Sequence, residues 1–180
     1  MNPIAKKELL RHLVVVFFIF LLISLFRRWL SISHYPFWIG GLFGIFLPDV
    51  DHFIYVYLRP HEVTSQRVAS MVQRKEIKNT YALVAETKEE RSNLILHTSV
   101  FQLIFLALTF LILTSSGNFF GRGLVLAFSF KLLLEQHDEY KKRGNLNSWF
   151  INFPFEVAVE KHIVYWTLLL VLNLIFGFLF

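Results

Sequence analysis

The chain has 180 residues, of which 55% are hydrophobic, 17% are aromatic and only 17% are charged. Soluble domains average roughly 45–50% apolar and about 25% charged residues, so this composition excludes an ordinary soluble domain and a disordered chain. The absence of cysteine excludes disulfide scaffolds, thiolate metal sites and cysteine nucleophiles. These exclusions leave a small integral membrane protein with one domain over residues 1–180 and a formal net charge of +5.

Five hydrophobic segments approach the length of a membrane-spanning helix, which is about 20 mostly apolar residues. In chain order they cover residues 13–32, 35–58, 94–113, 119–134 and 163–180. The third and fifth segments are almost free of charge, whereas the second and fourth contain ionisable residues. The sequence therefore predicts an all-α, polytopic membrane helical bundle of about five spans.

A long polar segment, residues 61–93, separates the second and third hydrophobic segments. Its pattern predicts one or two amphipathic cytoplasmic helices, with a break near Asn79 and Thr80. It carries more basic than acidic residues. Two interpretations are compatible with each other: a helical hairpin resting on the bilayer surface, and a basic lid that attracts anionic lipid headgroups.

The distribution of Lys and Arg predicts the orientation, because cytoplasmic loops carry the excess of these residues. With five spans, the segments on one face carry 14 Lys and Arg residues and those on the other face carry three. We therefore expect the N-terminus in the cytoplasm and the C-terminus outside the inner membrane. The basic residues follow this topology and form no patch interleaved with aromatic residues, which argues against nucleic-acid binding.

The second hydrophobic segment contains Asp49, Asp51 and His52 directly after Pro48. Ionisable residues within a span are costly and usually face the interior of a bundle. Proline either kinks a helix or begins a new one. On a regular helix Asp49 and His52 share a face while Asp51 does not, so all three meet at one ion only if the backbone is irregular. The sequence leaves open whether the helix ends at the proline or continues.

Further candidate ligands fall at the same face of the predicted membrane. Imidazole and carboxylate groups from separate spans suit Zn, Mn and Fe. The predicted metal ligands are Asp49, Asp51, His52, His97, Glu135 and His137. The remaining histidines at this face are interpreted as interfacial polar residues, and these are His12, His61 and His162.

The residues from Gly44 to His52, which read GIFLPDVDH, and the later His97-Thr98-Ser99 resemble the YdjM-like family of inner-membrane metal-dependent hydrolases. Members of that family carry a PDxDH motif, a THS-type motif and an HxxxD motif, and the resemblance covers residues 40–149. It implies a distant relation to zinc-dependent phospholipase C and S1-type nucleases, and hence phosphoester hydrolysis. It also implies a divalent metal cofactor, with Zn expected first and Mn or Mg as alternatives.

The third motif departs from this pattern, because its His and Asp fall on Lys131 and Glu135. Glutamate can replace aspartate as a metal ligand, but a protonated lysine has no lone pair to offer. An ammonium group at this position can instead neutralise the aspartates in place of a metal ion.

Two functions of different classes follow. The first is a membrane-bound metal-dependent hydrolase that acts on a phosphoester or lipid-linked substrate at the cytoplasmic side, with Asp51 and Glu135 as predicted catalytic residues. The second is a non-catalytic relative in which Lys131 replaces the metal charge and the protein has a structural or interaction role. A proton or ion transporter is a third hypothesis, which the lack of an inverted repeat disfavours. The expected partner is the lipid bilayer, and the oligomeric state stays open.

Overall fold

The computed structural model describes residues 3–87, 91, 94–115 and 117–180. Within these residues the regular structure is entirely helical, with no β-strand, and the all-α prediction is confirmed. The helices are α1 (Pro3–Phe26), α2 (Tyr35–Phe46), α3 (Val50–Leu58), α4 (Val63–Gln73), α5 (Ile77–Glu86), α6 (Ser99–Ser115), α7 (Phe119–Arg143) and α8 (His162–Leu179).

Three helical segments among the described residues are long and apolar enough to cross a membrane, namely Lys6–Phe26, Ile32–Leu58 and Val159–Leu179. The third predicted hydrophobic segment forms the apolar helix α6, which has 17 residues. The fourth forms the first part of α7, which has 25 residues and continues to Arg143. Over its described residues the molecule is thus a helical protein with three candidate membrane spans.

Several helix ends differ from the ends of the hydrophobic segments. α1 ends at Phe26 instead of continuing to Ile32, because the chain turns at Arg28, whose φ is 58°. α7 extends beyond residue 134 to Arg143 and is followed by Gly144, which adopts the left-handed conformation with a φ of 72°. Three basic residues in the last turn of α7, residues 141–143, interact favourably with the negative end of the helix dipole.

The second hydrophobic segment is divided between α2 and α3 by a tight turn over residues 47–49. The backbone N–H groups from Asp49 to His52 donate to carbonyl oxygens three residues earlier, from Phe46 to Asp49. Pro48 has no N–H to offer to a regular α-helix, so this tighter pattern accommodates it. The chain therefore neither stops at the proline nor continues as one regular helix, and the irregular backbone changes the directions of the acidic side chains that follow.

The polar segment forms two helices, α4 and α5. They are separated at residues 74–76, where Lys75 has a φ of 58°, and not near Asn79 and Thr80 as predicted. Residues 88–90 and 92–93 of the predicted segment lie outside the described residues. Three valines, Val56, Val68 and Val84, form a small apolar cluster that packs α4 and α5 against α3.

α7 lies at the centre of the bundle and contacts α1, α2, α6 and α8. Its closest neighbour is α2, because glycines allow the two backbones to meet. A Cβ atom on Gly123 would lie 2.0 Å from the Phe37 carbonyl oxygen, and one on Gly40 would lie 2.0 Å from the Phe120 carbonyl oxygen. This glycine contact fixes the second half of α7 beside the turn that follows α2.

Candidate functional site

A buried lysine forms the centre of a polar cluster at one end of the bundle. Lys131 on α7 is 3% exposed, and its Nζ atom lies 3.1 Å from Glu135 Oε1, one helical turn further along. The same atom lies 3.1 Å from His12 Nδ1 on α1 and 3.8 Å from Asp49 Oδ1. The ammonium group therefore interacts with two carboxylates and one imidazole from three separate parts of the chain.

Asp51 fixes the segment that leads into α6. Its side chain is 1% exposed and accepts hydrogen bonds from the backbone N–H groups of Ile95 (3.2 Å) and Leu96 (2.6 Å). His97 Nδ1 is the third partner, 3.0 Å from Asp51 Oδ2. Backbone amides and an imidazole thus satisfy the carboxylate of Asp51.

His97 connects the two halves of the cluster. While Nδ1 faces Asp51, Nε2 lies 2.9 Å from Glu135 Oε2. Each ring nitrogen of His97 therefore faces a carboxylate oxygen, and the imidazole joins Asp51 to Glu135. The ring centroids of His52 and Trp149 lie 5.4 Å and 5.5 Å from that of His97. The cluster therefore alternates acidic and basic groups from Asp51 to Lys131.

The network continues to α1 through His12. Because Lys131 donates to Nδ1, His12 carries its proton on Nε2 and donates to Asp138 Oδ2 at 2.8 Å. Arg11 also pairs with Asp138. Burial acts to raise the pKa of the Asp138 carboxyl, but the hydrogen bonds from His12 and Arg11 and the charge of Arg11 outweigh it and hold that pKa below its ordinary value. We call the connected set the Lys131 cluster, and its members are Arg11, His12, Asp49, Asp51, His97, Lys131, Glu135 and Asp138.

A second polar layer follows directly along α7. Gln136 and Gln102 exchange two amide hydrogen bonds of 2.7 Å and 3.2 Å. The Tyr165 hydroxyl donates to Gln102 Oε1 at 3.0 Å. These groups join α6, α7 and α8 beside the Lys131 cluster. The sequence interpretation missed them because it considered ionisable side chains only.

The structure brings together most of the predicted ligands. Asp49, Asp51, His97 and Glu135 belong to the Lys131 cluster, and His52 stands next to His97. His137 lies at the edge of the cluster, next to Asp138, and not beside the other predicted ligands. Its side chain is half-exposed, its Nδ1 atom lies 3.6 Å from Asp138 Oδ1 on the outer side of the cluster, and its ring packs near Trp166.

The histidines interpreted as interfacial occupy three different environments. His61 is exposed. His162 is fully buried and accepts a hydrogen bond from the Leu146 N–H at 3.0 Å. His12 is 3% exposed and belongs to the Lys131 cluster. One signal could have revealed its position, since His12, Val16 and Phe20 recur at the spacing of a single helix face, and that face is buried.

The residues present do not fit a resident metal ion. Among the described residues, no three His, Asp or Glu side chains are arranged to hold one. A divalent ion needs several free lone pairs, whereas both nitrogens of His97 and the oxygens of Asp51 and Glu135 face hydrogen-bond partners. The ammonium of Lys131 adds a positive charge at the position where a cation would have to bind.

Comparison of the chain with protein-family models, with curated proteins and with solved structures finds no match. The resemblance to metal-dependent hydrolases therefore stays a prediction that rests on two short motifs. The Lys131 cluster is the firmest basis for assigning a function, because its geometry involves four separate parts of the chain.

Proposed function

We propose that this chain is an integral membrane protein in which Lys131 takes the place of a metal ion and the cluster around it has a structural and binding role instead of a hydrolytic one. The observation that carries this proposal is the position of Lys131 Nζ, 3.1 Å from Glu135 Oε1 and 3.8 Å from Asp49 Oδ1. In register with the resembled family, the histidine of the HxxxD motif falls at this position.

The charges within the cluster support the same conclusion. The ammonium of Lys131 lies near two carboxylates, and the imidazole of His97 joins a third, so the acidic side chains have basic partners without any metal ion. Buried charges are tolerated when they are paired and hydrogen-bonded. A set that is already compensated gains little from a divalent ion and would have to expel Lys131 to bind one.

For the membrane arrangement we propose five spans, with the N-terminus in the cytoplasm and the C-terminus outside. α6 supports this arrangement, because apolar side chains such as Ile104 (65% exposed) and Leu111 (57% exposed) cover its outer surface. The cytoplasmic face would then carry the Lys131 cluster and the α4–α5 hairpin. Exposed basic residues of that hairpin, including Arg67, Arg74 and Lys75, would contact anionic lipid headgroups.

Metal analysis of the purified protein tests the proposal. After exposure to Zn, Mn or Mg and dialysis, the wild-type protein should retain no stoichiometric metal. Lys131→His should retain Zn, because it restores an imidazole beside Asp49, His97 and Glu135. Lys141→His on the exposed end of α7 is the matched control and should retain none.

A metal-dependent hydrolase acting on a phosphoester or lipid-linked substrate is the second candidate. It is favoured by the convergence of Asp51, His97 and Glu135 from three separate segments. Stoichiometric metal in the wild-type protein that is lost in Asp51→Asn would establish this candidate and overturn the first. Retention of metal only by Lys131→His would eliminate it.

A further inference from the structure

An apolar groove lies between α1 and α2, on the surface that these candidate spans present to lipid. Its volume is about 510 Å³, and its lining includes Leu13, Phe17, Trp38, Gly41, Leu42 and Ile45. Ligand sites in proteins commonly range from about 300 to 1,000 Å³. The groove is therefore large enough to hold a hydrocarbon chain.

The shape of the groove depends on small and buried residues at its base. Phe20 is 2% exposed, and its ring lies against Gly41, where a Cβ atom would come within 2.4 Å of Phe20 Cε1. The sides, in contrast, are open, since Phe17 is 53% exposed and Leu42 is 54% exposed. A fixed base and lipid-facing sides suit an occupant that enters from the bilayer.

Basic residues stand at one end of the groove. Lys7, Arg11, Val14 and Phe18 recur at the spacing of one helix face of α1, and the last two line the groove. Lys7 is exposed, and the Arg11 side chain is 46% exposed. Although Arg11 pairs with Asp138, a guanidinium has five donors, so it can bind a second anion. This end of the groove therefore attracts an anionic headgroup.

We propose that the groove between α1 and α2 binds one acyl chain of an anionic phospholipid, whose phosphate lies at Lys7 and Arg11. The apolar lining of the groove matches the acyl chain of such a lipid, and the positive charge at its end matches the negative phosphate. The proposal goes beyond the role of the Lys131 cluster and holds whether or not that cluster binds a metal.

Quenching of Trp38 by brominated lipids tests the proposal. The full chain is reconstituted in phosphatidylcholine bilayers that contain equal mole fractions of brominated-chain phosphatidylglycerol or brominated-chain phosphatidylcholine. Because Trp38 lines the groove, the difference in fluorescence between the wild-type protein and Trp38→Phe is the signal that comes from the groove. We expect brominated phosphatidylglycerol to quench this part more strongly than brominated phosphatidylcholine does.

Lys7→Gln should reduce this preference about five-fold, because a basic residue near anionic lipid contributes an interaction of that size. Lys141→Gln is the control, since it removes an exposed charge near the same end of the bundle but on α7. Equal quenching by the two lipids in the wild-type protein, or equal effects of the two substitutions, would overturn the proposal.

A second pair of variants tests the groove without fluorescence. Leu42→Trp fills the groove, whereas Leu22→Trp enlarges a residue of similar exposure, 56%, that is not part of the lining. Native mass spectrometry of the purified proteins should show loss of retained phospholipid in Leu42→Trp only. Retention of lipid in Leu42→Trp at the wild-type level would contradict the proposal, and thermal unfolding in detergent verifies that both variants are folded.

Discussion

At the scale of single residues, Lys131 determines how the buried carboxylates are compensated. Replacing it with methionine keeps a similar shape but removes the ammonium that interacts with Glu135 and Asp49. Loss of one partner from a buried ion pair typically costs about 3–5 kcal/mol. We therefore expect Lys131→Met to lower the free energy of unfolding by about this amount, measured by denaturation in detergent.

Lys141→Met is the matched control for this prediction, because Lys141 is an exposed lysine on the same helix. Its effect should stay within about 0.5 kcal/mol. Equal stabilities of Lys131→Met and the wild-type protein would show that the ammonium is not needed to compensate the carboxylates.

Asp138 gives the cluster a dependence on pH. Its pKa is lower in the folded protein than the ordinary value of about 3.9, so its interactions stabilise the folded state above that value and are lost as the pH falls through the folded pKa. The charged and titratable groups that face it are Arg11, His12 and His137.

We expect Asp138→Asn to be less stable than the wild-type protein at neutral pH, with a difference that shrinks below about pH 4 as Asp138 becomes protonated. Thermal unfolding of both proteins at a series of pH values measures this difference in stability. Glu156→Gln, at an exposed position, should show no such change in its difference from wild type. A constant difference for Asp138→Asn across this range would be inconsistent with a lowered pKa.

At the scale of helices, the glycine contact between α2 and α7 offers an internally controlled test. Gly123→Ala would place Cβ 2.0 Å from the Phe37 carbonyl oxygen, whereas at Gly121 the nearest atom to a new Cβ is Ile112 Cγ2 at 3.7 Å. We expect Gly123→Ala to destabilise the protein by about 1–3 kcal/mol, since a backbone has to move. Gly121→Ala should be neutral or stabilising by up to about 1 kcal/mol, because alanine favours a helix.

The two substitutions lie on the same helix and add the same methyl group. Chemical denaturation in detergent should therefore give Gly123→Ala a lower free energy of unfolding than wild type, and Gly121→Ala an equal or higher one. Similar effects of both would mean that α2 and α7 do not pack at the distance described.

The helical class and the positions of the apolar helices could be predicted from the sequence, because hydrophobic composition and run length determine them. The start of α6 could not, because a distant side chain holds the segment before it. α6 begins at Ser99 and not at Leu94, and Asp51 accepts hydrogen bonds from the backbone N–H groups of Ile95 and Leu96 in the segment between. Likewise, the motifs predicted that Asp51, His97 and Glu135 are neighbours, whereas the contact of His12 with Lys131 depends on the packing of α1 against α7.

At the scale of the whole molecule, the proposed topology can be tested by labelling, because the native chain contains no cysteine. Ser33 and Asn79 are both exposed, and they lie on opposite sides in the five-span arrangement. In intact cells, a membrane-impermeant thiol reagent should label Ser33→Cys and not Asn79→Cys. Both should react after the membrane is permeabilised, and labelling of Asn79→Cys in intact cells would contradict the arrangement.

The placement of ionisable groups on α7 also has a consequence for membrane insertion. Lys131 and Glu135 both lie on the buried face of this helix, so α7 alone in a bilayer would expose both charges to lipid. A charged residue at the centre of a spanning helix raises the free energy of transfer into the membrane by about 2.5–3.5 kcal/mol, and the cost is smaller towards the cytoplasmic end, where the proposed arrangement places both residues. If α7 spans the membrane as proposed, it should partition into lipid more readily after α2 is in place, because the glycine contact then brings Lys131 next to Asp49. Under that topology the glycine contact would assist assembly in the bilayer as well as packing.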